Sequence, residues 1–273
     1  MSARRDSGAV GIGAIDFGRL YREHLAAASR SPKPASAWDG RAKDVSRRSL
    51  QSRYAQEFIS RMDLSGCDTL LDVGCGPGTI CLPLASRLKA VYGLDYSQGM
   101  LDALASNASL LGVSNVTPIL RAWEDDWSDI PSCDIVVASR STSVQDLAAA
   151  LKKLNDKALR RVYLTHTVGG KFVSQEILEV IGRTRVAAPD YIYVVNILHA
   201  MGIHARVDYI RNDAHIDGAD FDDLVRRVSW SLGKLNEDEI ARLRRWSEGK
   251  EGGARLRAPM QWAFISWEKQ PTE

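Results

Sequence analysis

Residues Thr69 to Thr79 constrain this chain more tightly than any other segment. Thr69-Leu70-Leu71-Asp72-Val73 is an apolar run of the kind that forms a buried strand. It stops at Gly74-Cys75-Gly76-Pro77-Gly78, a turn with no bulky side chain until Thr79. Helical spacing then resumes at Cys81, Leu84, Ala85 and Leu88. A strand, a glycine-rich turn and a helix in that order let the backbone come close to a ligand, with N–H groups facing it. A second strand, Ala90 to Leu94, ends in Asp95, an acid suited to holding ribose hydroxyls.

Two nucleotide-type ligands use such a unit. A dinucleotide site calls for G-x-G-x-x-G, which seats a pyrophosphate on the helix N-terminus. Here the glycines fall at 74, 76 and 78, position 79 is Thr, and Asp72 stands two residues ahead of the first glycine. A carboxylate there repels a pyrophosphate but suits a ligand with an ammonium group. S-adenosylmethionine (SAM) carries that group, with ribose and adenine and no phosphate. In these residues the chain resembles the class I SAM-dependent methyltransferases. Asp72, Gly74, Gly76 and Gly78 match that family's D-x-G-x-G-x-G motif, and Asp95 matches the acid ending its next strand. The resemblance implies SAM as cofactor, S-adenosylhomocysteine (SAH) as product, and a Rossmann-like α/β sheet. That sheet has seven strands in the order 3-2-1-4-5-7-6 with the last antiparallel.

The rest of the chain reads as one methyltransferase domain over 1–273. It comprises an N-terminal helical arm or cap (1–65), a SAM-binding half (66–168) and a substrate-side half with helical insertions (169–273). Residues 1 to about 15, rich in Gly, Ser and Arg, read as disordered. A helix is expected over Asp16 to Ala28, a linker over Ser29 to Ala37, and one helix from about Ser46 to Met62 with a stripe of Leu50, Tyr54, Phe58, Ile59 and Met62. Because the sheet begins at Thr69, the first 45 residues are expected to be dispensable for the fold. Ser97 to Leu111 reads as a helix with Ser97 as its N-cap. Val116 to Ala122 is the third strand, and Pro118 inside it calls for a sheet edge. Strands are expected at Asp134 to Ala138, Arg161 to Val168, His204 to Ile210 and Gln261 to Trp267. The added helices lie near 174–184, 191–201, 220–232 and 236–250.

In open α/β sheets ligands bind beyond the carboxyl ends of the strands, and that rule selects candidate residues. The first strand supplies Asp72, Gly74, Cys75, Gly76 and Gly78, and the second supplies Asp95 and Tyr96. The third supplies Trp123, as an adenine platform or a core-edge aromatic, with Glu124 or Asp125 at the adenine amino group. After the fourth come Ser139 and Arg140; Arg140 either binds a substrate carboxylate or phosphate by its planar fork or is a solvated surface arginine. The Asn/Asp-Pro-Pro-Tyr of amino-methylating enzymes is missing here, which disfavours methylation of exocyclic amines in DNA. After the fifth comes His166, a general base or a structural histidine. His199, His204 and His215 have weaker claims. Trp38 and Arg41, after a Pro-containing linker, either fold over the cofactor or anchor the arm.

The 273 residues, 45% of them hydrophobic, suffice for one substantial core, and the net charge of +2 neither demands nor excludes nucleic acid. Cysteines at 67, 75, 81 and 133 match no zinc pattern and read as free thiols in a reducing compartment, so no metal is expected. The segment after the basic Met1–Arg5 stretch is a poor signal peptide, and no apolar run reaches membrane-span length. A cytoplasmic protein with no membrane partner is expected. The leading function is methylation of a small molecule by in-line transfer; oligomeric state is left open. An RNA or protein methyltransferase and a non-catalytic SAM-binding protein are the alternatives. Acids interspersed among the late basic residues (Asp222, Asp223, Glu237, Glu239) favour a solvated face over a nucleic-acid patch.

Overall fold

The computed structural model describes residues 11–28, 33–49, 52–212, 221–249 and 260–269. Its sheet contains β1 (Thr69–Val73), β2 (Ala90–Asp95), β3 (Val116–Leu120), β4 (Cys133–Ser139), β5 (Ala158–Thr167), β6 (Arg206–Asn212) and β7 (Met260–Glu268). The strand order is β3-β2-β1-β4-β5-β7-β6, with β7 antiparallel to both of its neighbours. This is the order and orientation that the resemblance implied. Pro118 lies on β3 at the sheet edge, opposite Gly93, where its missing N–H leaves no ladder bond unmade.

The helices are α1 (Phe17–Ala27), α2 (Ala35–Asp39), α3 (Ala42–Ser49), α4 (Arg53–Ile59), α5 (Cys81–Leu84), α6 (Gln98–Leu110), α7 (Leu147–Lys157), α8 (Gln175–Ile181), α9 (Tyr191–Ala200), α10 (Phe221–Leu232) and α11 (Glu237–Glu248). Parallel strands buried on both faces need helices on both faces. On one face α1, α7 and α9 pack Tyr21, Leu25, Leu151 and Leu198 against Leu71, Val73, Val136 and Leu164. On the other, α4, α5 and α6 pack Tyr54, Phe58, Leu84 and Leu104 against Leu70, Val91 and Ile135. A third, smaller core holds α8, α10 and α11 together through Ile177, Ile181, Leu224, Val228 and Leu243. The Arg183 fork on the buried Glu239 carboxylate reinforces it, at 2.5 and 2.8 Å. This three-helix cluster is termed the cap, and the N-terminal segment expected over 1–65 the arm.

Several boundaries differ from the sequence expectations. The single helix expected over 46–62 is two helices, because Ser52 takes an extended conformation (φ −70°, ψ 124°). The bend lets α3 lie against α6 while α4 turns Tyr54 and Phe58 into the sheet face. The linker expected over 29–37 is helical from Ala35, and residues 29–32 lie outside the described residues. The disorder expected over 1–15 falls mostly on residues outside the description; Ile12–Ala14 is a short 3₁₀ turn. His215 also lies outside it. The third strand stops at Leu120, two residues short of Ala122.

The arm is not dispensable for the fold. Tyr21 is 1% and Leu25 4% exposed, and the Tyr21 hydroxyl donates to Val144 O at 2.7 Å. Truncating one buried side chain of this size costs about 2–5 kcal/mol, so removing residues 1–45 strips a core layer rather than a loose extension.

Candidate functional site

The turn after β1 is built almost wholly from backbone. Gly74, Gly76 and Gly78 have φ of +68°, +53° and +90°, a region that L side chains rarely enter. Their surroundings differ. A Cβ on Gly74 would lie 2.3 Å from Ser141 Cβ, and one on Gly78 2.5 Å from Leu82 Cγ, so both are packing glycines. A Cβ on Gly76 would meet only Met100 Sδ, at 3.9 Å. Gly76 alone of the three faces open space.

The N–H groups of this turn do not face a ligand, as the sequence suggested they would. Those of Gly74 and Cys75 both donate to Leu94 O, at 2.7 and 3.0 Å. That of Gly76 donates to Asp95 Oδ2 (2.9 Å), and that of Gly78 to Cys75 O (3.1 Å). At the start of α5 the Cys81 N–H is taken by Asp72 Oδ2 (3.2 Å). A pyrophosphate would find these donors already engaged and a carboxylate among them.

Asp72 is 1% exposed, and its Oδ1 is buried with no hydrogen-bond partner. Burial is the main force pushing its pKa up to about 7, against the pull of its bonds from Cys81; the Asp95 charge adds to the rise. A buried acceptor of this kind is costly unless a donor reaches it. Asp95 is also buried, with its pKa raised by burial, although its oxygens accept from Gly76 N and Ser97 N. The Cys75 thiol is buried beside the turn, with Sγ 3.5 Å from Gly76 O.

The arm is fastened across the end of β2. Tyr96 Oη donates to Lys33 O (2.8 Å) and also bonds the Trp38 side chain. Burial, and then the Asp95 charge, push its phenol up to about 12. Asp39 Oδ1 accepts from Ser97 Oγ (2.6 Å) and from Gly99 N (2.9 Å), and these bonds hold its carboxyl below the usual range. An acid at the first turn of α6 also suits the helix dipole. Trp38 meets Trp230 of α10 edge-on, with ring centroids 5.0 Å apart. The Arg41 guanidinium lies 4.3 Å, and Lys33 Nζ 5.1 Å, from the centroid of the same ring. Arm and cap therefore meet, and both belong to the carboxyl edge. β6 runs parallel to β5, so the insertion that carries α10 leaves and re-enters the sheet at that edge.

At the end of β3, Trp123 stacks on Trp127 (5.3 Å, 28°), and Lys153 Nζ binds its carbonyl oxygen at 2.7 Å. Trp123 is half-buried against the core, whereas Glu124 is exposed, with its charge felt at Tyr96. Beyond β4 and β5 a buried polar chain runs between strands. Ser139 Oγ and Thr165 Oγ1 both bond Tyr54 Oη, at 2.9 and 2.6 Å. Thr165 Oγ1 accepts from Arg140 N (3.0 Å), and Thr142 Oγ1 lies 2.8 Å from His166 Nδ1. His166 is 2% exposed, so its ring is an interior group of this chain and not a free base at the mouth. His199 and His204 stack on each other (6.1 Å) on and just beyond α9, on the exterior. Tyr54, Asp39 and Trp230 were not among the sequence candidates. Among the described residues no group of His, Cys, Asp and Glu is placed to hold a metal ion, and no helix is long and apolar enough to cross a membrane.

A family model described as "Methyltransferase domain" matches residues 65–197. A Haemophilus influenzae protein that carries only the name "Uncharacterized protein" is 36% identical over 258 residues, covering 93% of this chain and 96% of that protein. The chain belongs to the class I SAM-dependent methyltransferases. A probable cobalt-precorrin-6B C(15)-methyltransferase of Methanococcus vannielii is 26% identical over 110 residues. That match covers 40% of this methyltransferase and 59% of the relative. The Bacillus subtilis YcgJ structure shares the fold, with a TM-score of 0.53 and 15% identity over 79% of this chain and 95% of that one.

Proposed function

We propose that this methyltransferase transfers the methyl group of SAM to a small-molecule acceptor. The observation that carries the donor assignment is the inverted polarity of the β1 turn. Its N–H groups are engaged internally, and Asp72 presents a buried, unpartnered oxygen. That polarity suits the ammonium group of SAM and opposes a phosphate. Gly76 leaves room for the aminoacyl chain, with Gly74, Cys75 and Gly78 shaping the turn behind it. Asp95 holds the ribose hydroxyls, Tyr96 and Glu124 border the nucleoside, and Trp123 flanks the adenine. Ser139 closes the β4 side, and Trp38 and Arg41 cover the mouth.

SAM supplies an electrophilic methyl on sulfonium sulfur, lost as a neutral thioether. The protein's part is to hold the acceptor in line and to exclude water. The Trp38–Trp230 contact supports a compact acceptor, because it brings the arm and the cap together at the carboxyl edge, where a polymeric acceptor would need open access. His166, near the end of β5, bonds Thr142 in the segment after β4 and so serves to order that segment beside the proposed acceptor position.

The test is incubation with methyl-labelled SAM against separated small-molecule, RNA and protein fractions of a bacterial extract. Label in the small-molecule fraction is expected. Label confined to RNA or protein would overturn the acceptor class, and SAH binding without any transfer would favour a non-catalytic SAM-binding protein.

A further inference from the structure

Arg140 is the one non-glycine residue with positive φ (58°) among the described residues. It follows β4 directly, at the centre of the carboxyl edge. Left-handed backbone is unfavourable for a long side chain and persists where surrounding bonds enforce it. Here the Arg140 N–H is fixed on Thr165 Oγ1 at 3.0 Å, and the next residue, Ser141, is fixed by its hydroxyl on Val73 O at 2.6 Å.

The side chain is mounted as firmly as the backbone. The Arg140 guanidinium stacks over the Tyr54 ring, 4.2 Å from its centroid. Tyr54 is 1% exposed, and Ser139 and Thr165 lock its hydroxyl. The platform therefore cannot turn away. Stacking occupies a face of the guanidinium and leaves its N–H edge directed outward. Arg140 is exposed, and no described carboxylate pairs with it. An ordinary surface arginine samples many rotamers and loses that freedom on binding. This one is already held. Tyr54 also feels the Asp72 charge, so the mounted guanidinium and the donor-turn carboxylate act on the same ring.

We propose that Arg140, mounted on Tyr54, is an oxyanion seat beside the methyl-transfer position. It receives a carboxylate or phosphate by its planar fork. Two sources carry that chemistry: the α-carboxylate of the donor, whose ammonium faces Asp72, and an acidic group on the acceptor. The seat rests on the donor assignment above only for the first source.

Arg140→Gly is the decisive variant. Glycine accepts φ 58° more readily than arginine, so the chain is expected to fold at least as well, and thermal melting checks this. Three ligands are then titrated by calorimetry into parent and variant: SAH, 5′-methylthioadenosine (which has no carboxylate), and inorganic phosphate with and without saturating SAH. If the donor carboxylate uses the seat, SAH binding falls at least tenfold while methylthioadenosine is unchanged. If the acceptor uses it, SAH binding is unchanged, and phosphate binds the SAH-loaded parent but at least tenfold more weakly to the variant. Arg140→Lys, which keeps the charge but not the fork, falls between parent and variant in either case. Equal affinities of parent and Arg140→Gly for SAH and phosphate overturn the seat. A parent that binds phosphate through Arg140 but binds no SAH would overturn the donor assignment and leave the seat standing.

Discussion

The two sides of the proposed site are made of different material. The donor wall, residues 72–78 with Asp95, is backbone and buried carboxylate, contributed by two adjacent strands. The opposite wall and roof consist of side chains brought from far apart: Trp38 and Arg41 from the arm, Trp230 from the cap, and Arg140 on Tyr54. Backbone geometry tolerates almost no substitution, whereas a side-chain contact can be removed one ring at a time. The donor wall should therefore fail in steps of all or nothing, and the roof by degrees.

The sharpest break sets Gly76 against Gly78. Gly76→Val directs its new atoms into open space and meets no protein atom that must move at Cβ. It should abolish SAH binding with only the φ penalty, about 1–2 kcal/mol, taken from stability. Gly78→Val forces a Cβ against Leu82 and Leu104 at 2.5–2.7 Å. There the overpacking cost of about 1–3 kcal/mol adds to the φ penalty, and the fold itself should suffer. Calorimetry and thermal melting on both variants separate the two. A Gly76→Val protein that binds SAH normally would remove Gly76 from the donor site.

Asp95→Ala should come next. It removes a carboxylate that bonds Gly76 N and Ser97 N and that is proposed to hold ribose. Loss of a charged hydrogen bond predicts about 1.5–3 kcal/mol weaker SAH binding. An affinity equal to that of the parent would mean that the ribose is held elsewhere.

That contrast between the walls also explains how much of the molecule was legible in its sequence. The donor turn could be read because it is fixed by neighbours within a few residues, and glycine and acid types report backbone geometry directly; the strand order, set by pairings as distant as Arg161 with Glu268, came only with the family resemblance that this turn carries. The direction of the turn's N–H groups could not be read: Leu94 O and Asp95 take them from the neighbouring strand. Tyr54 looked like one more member of an apolar stripe, since Thr165, which holds its hydroxyl, lies 111 residues away. Trp230 gave no signal for the same reason: Trp38 and Arg41 reach it only after arm and cap have folded. Tyr21 showed its apolar spacing but not that α1 is a core layer, which depends on α7 and α9.

A smaller effect, and one specific to the donor wall, is pH dependence. Burial raises the folded pKa of Asp72 to about 7, from the ordinary carboxylate value of 3.8. The folded chain therefore holds more protons than the unfolded one between those values, and the ligand-free protein should lose stability as pH rises across that window. Ammonium binding needs the ionised carboxylate, so SAH affinity should rise with pH up to about 7 and then level, by at most ~1.4 kcal/mol per unit. Asp72→Asn should flatten both curves. Calorimetric affinities and melting temperatures from pH 5.5 to 8 test this, and an unchanged profile in Asp72→Asn would assign the dependence to another group.

The smallest expected effect belongs to the roof. Trp230→Ala removes one edge-on ring contact with Trp38 and the ring under Arg41 and Lys33. An aromatic pair is worth about 0.5–1.5 kcal/mol and an exposed cation–π contact about 0.5–1 kcal/mol. The arm would still be held by Asp39 on Ser97 and Gly99 and by Tyr96 on Lys33. SAH affinity should therefore drop only several-fold. Tryptic cleavage after Arg30, which precedes Ser31 and so is not blocked as the Lys33-Pro34 bond is, reports the arm directly: SAH should slow cleavage in the parent and slow it less in Trp230→Ala. Equal cleavage of the parent with and without SAH would make the arm a fixed wall, and the Trp38–Trp230 contact would then matter for packing instead of closure.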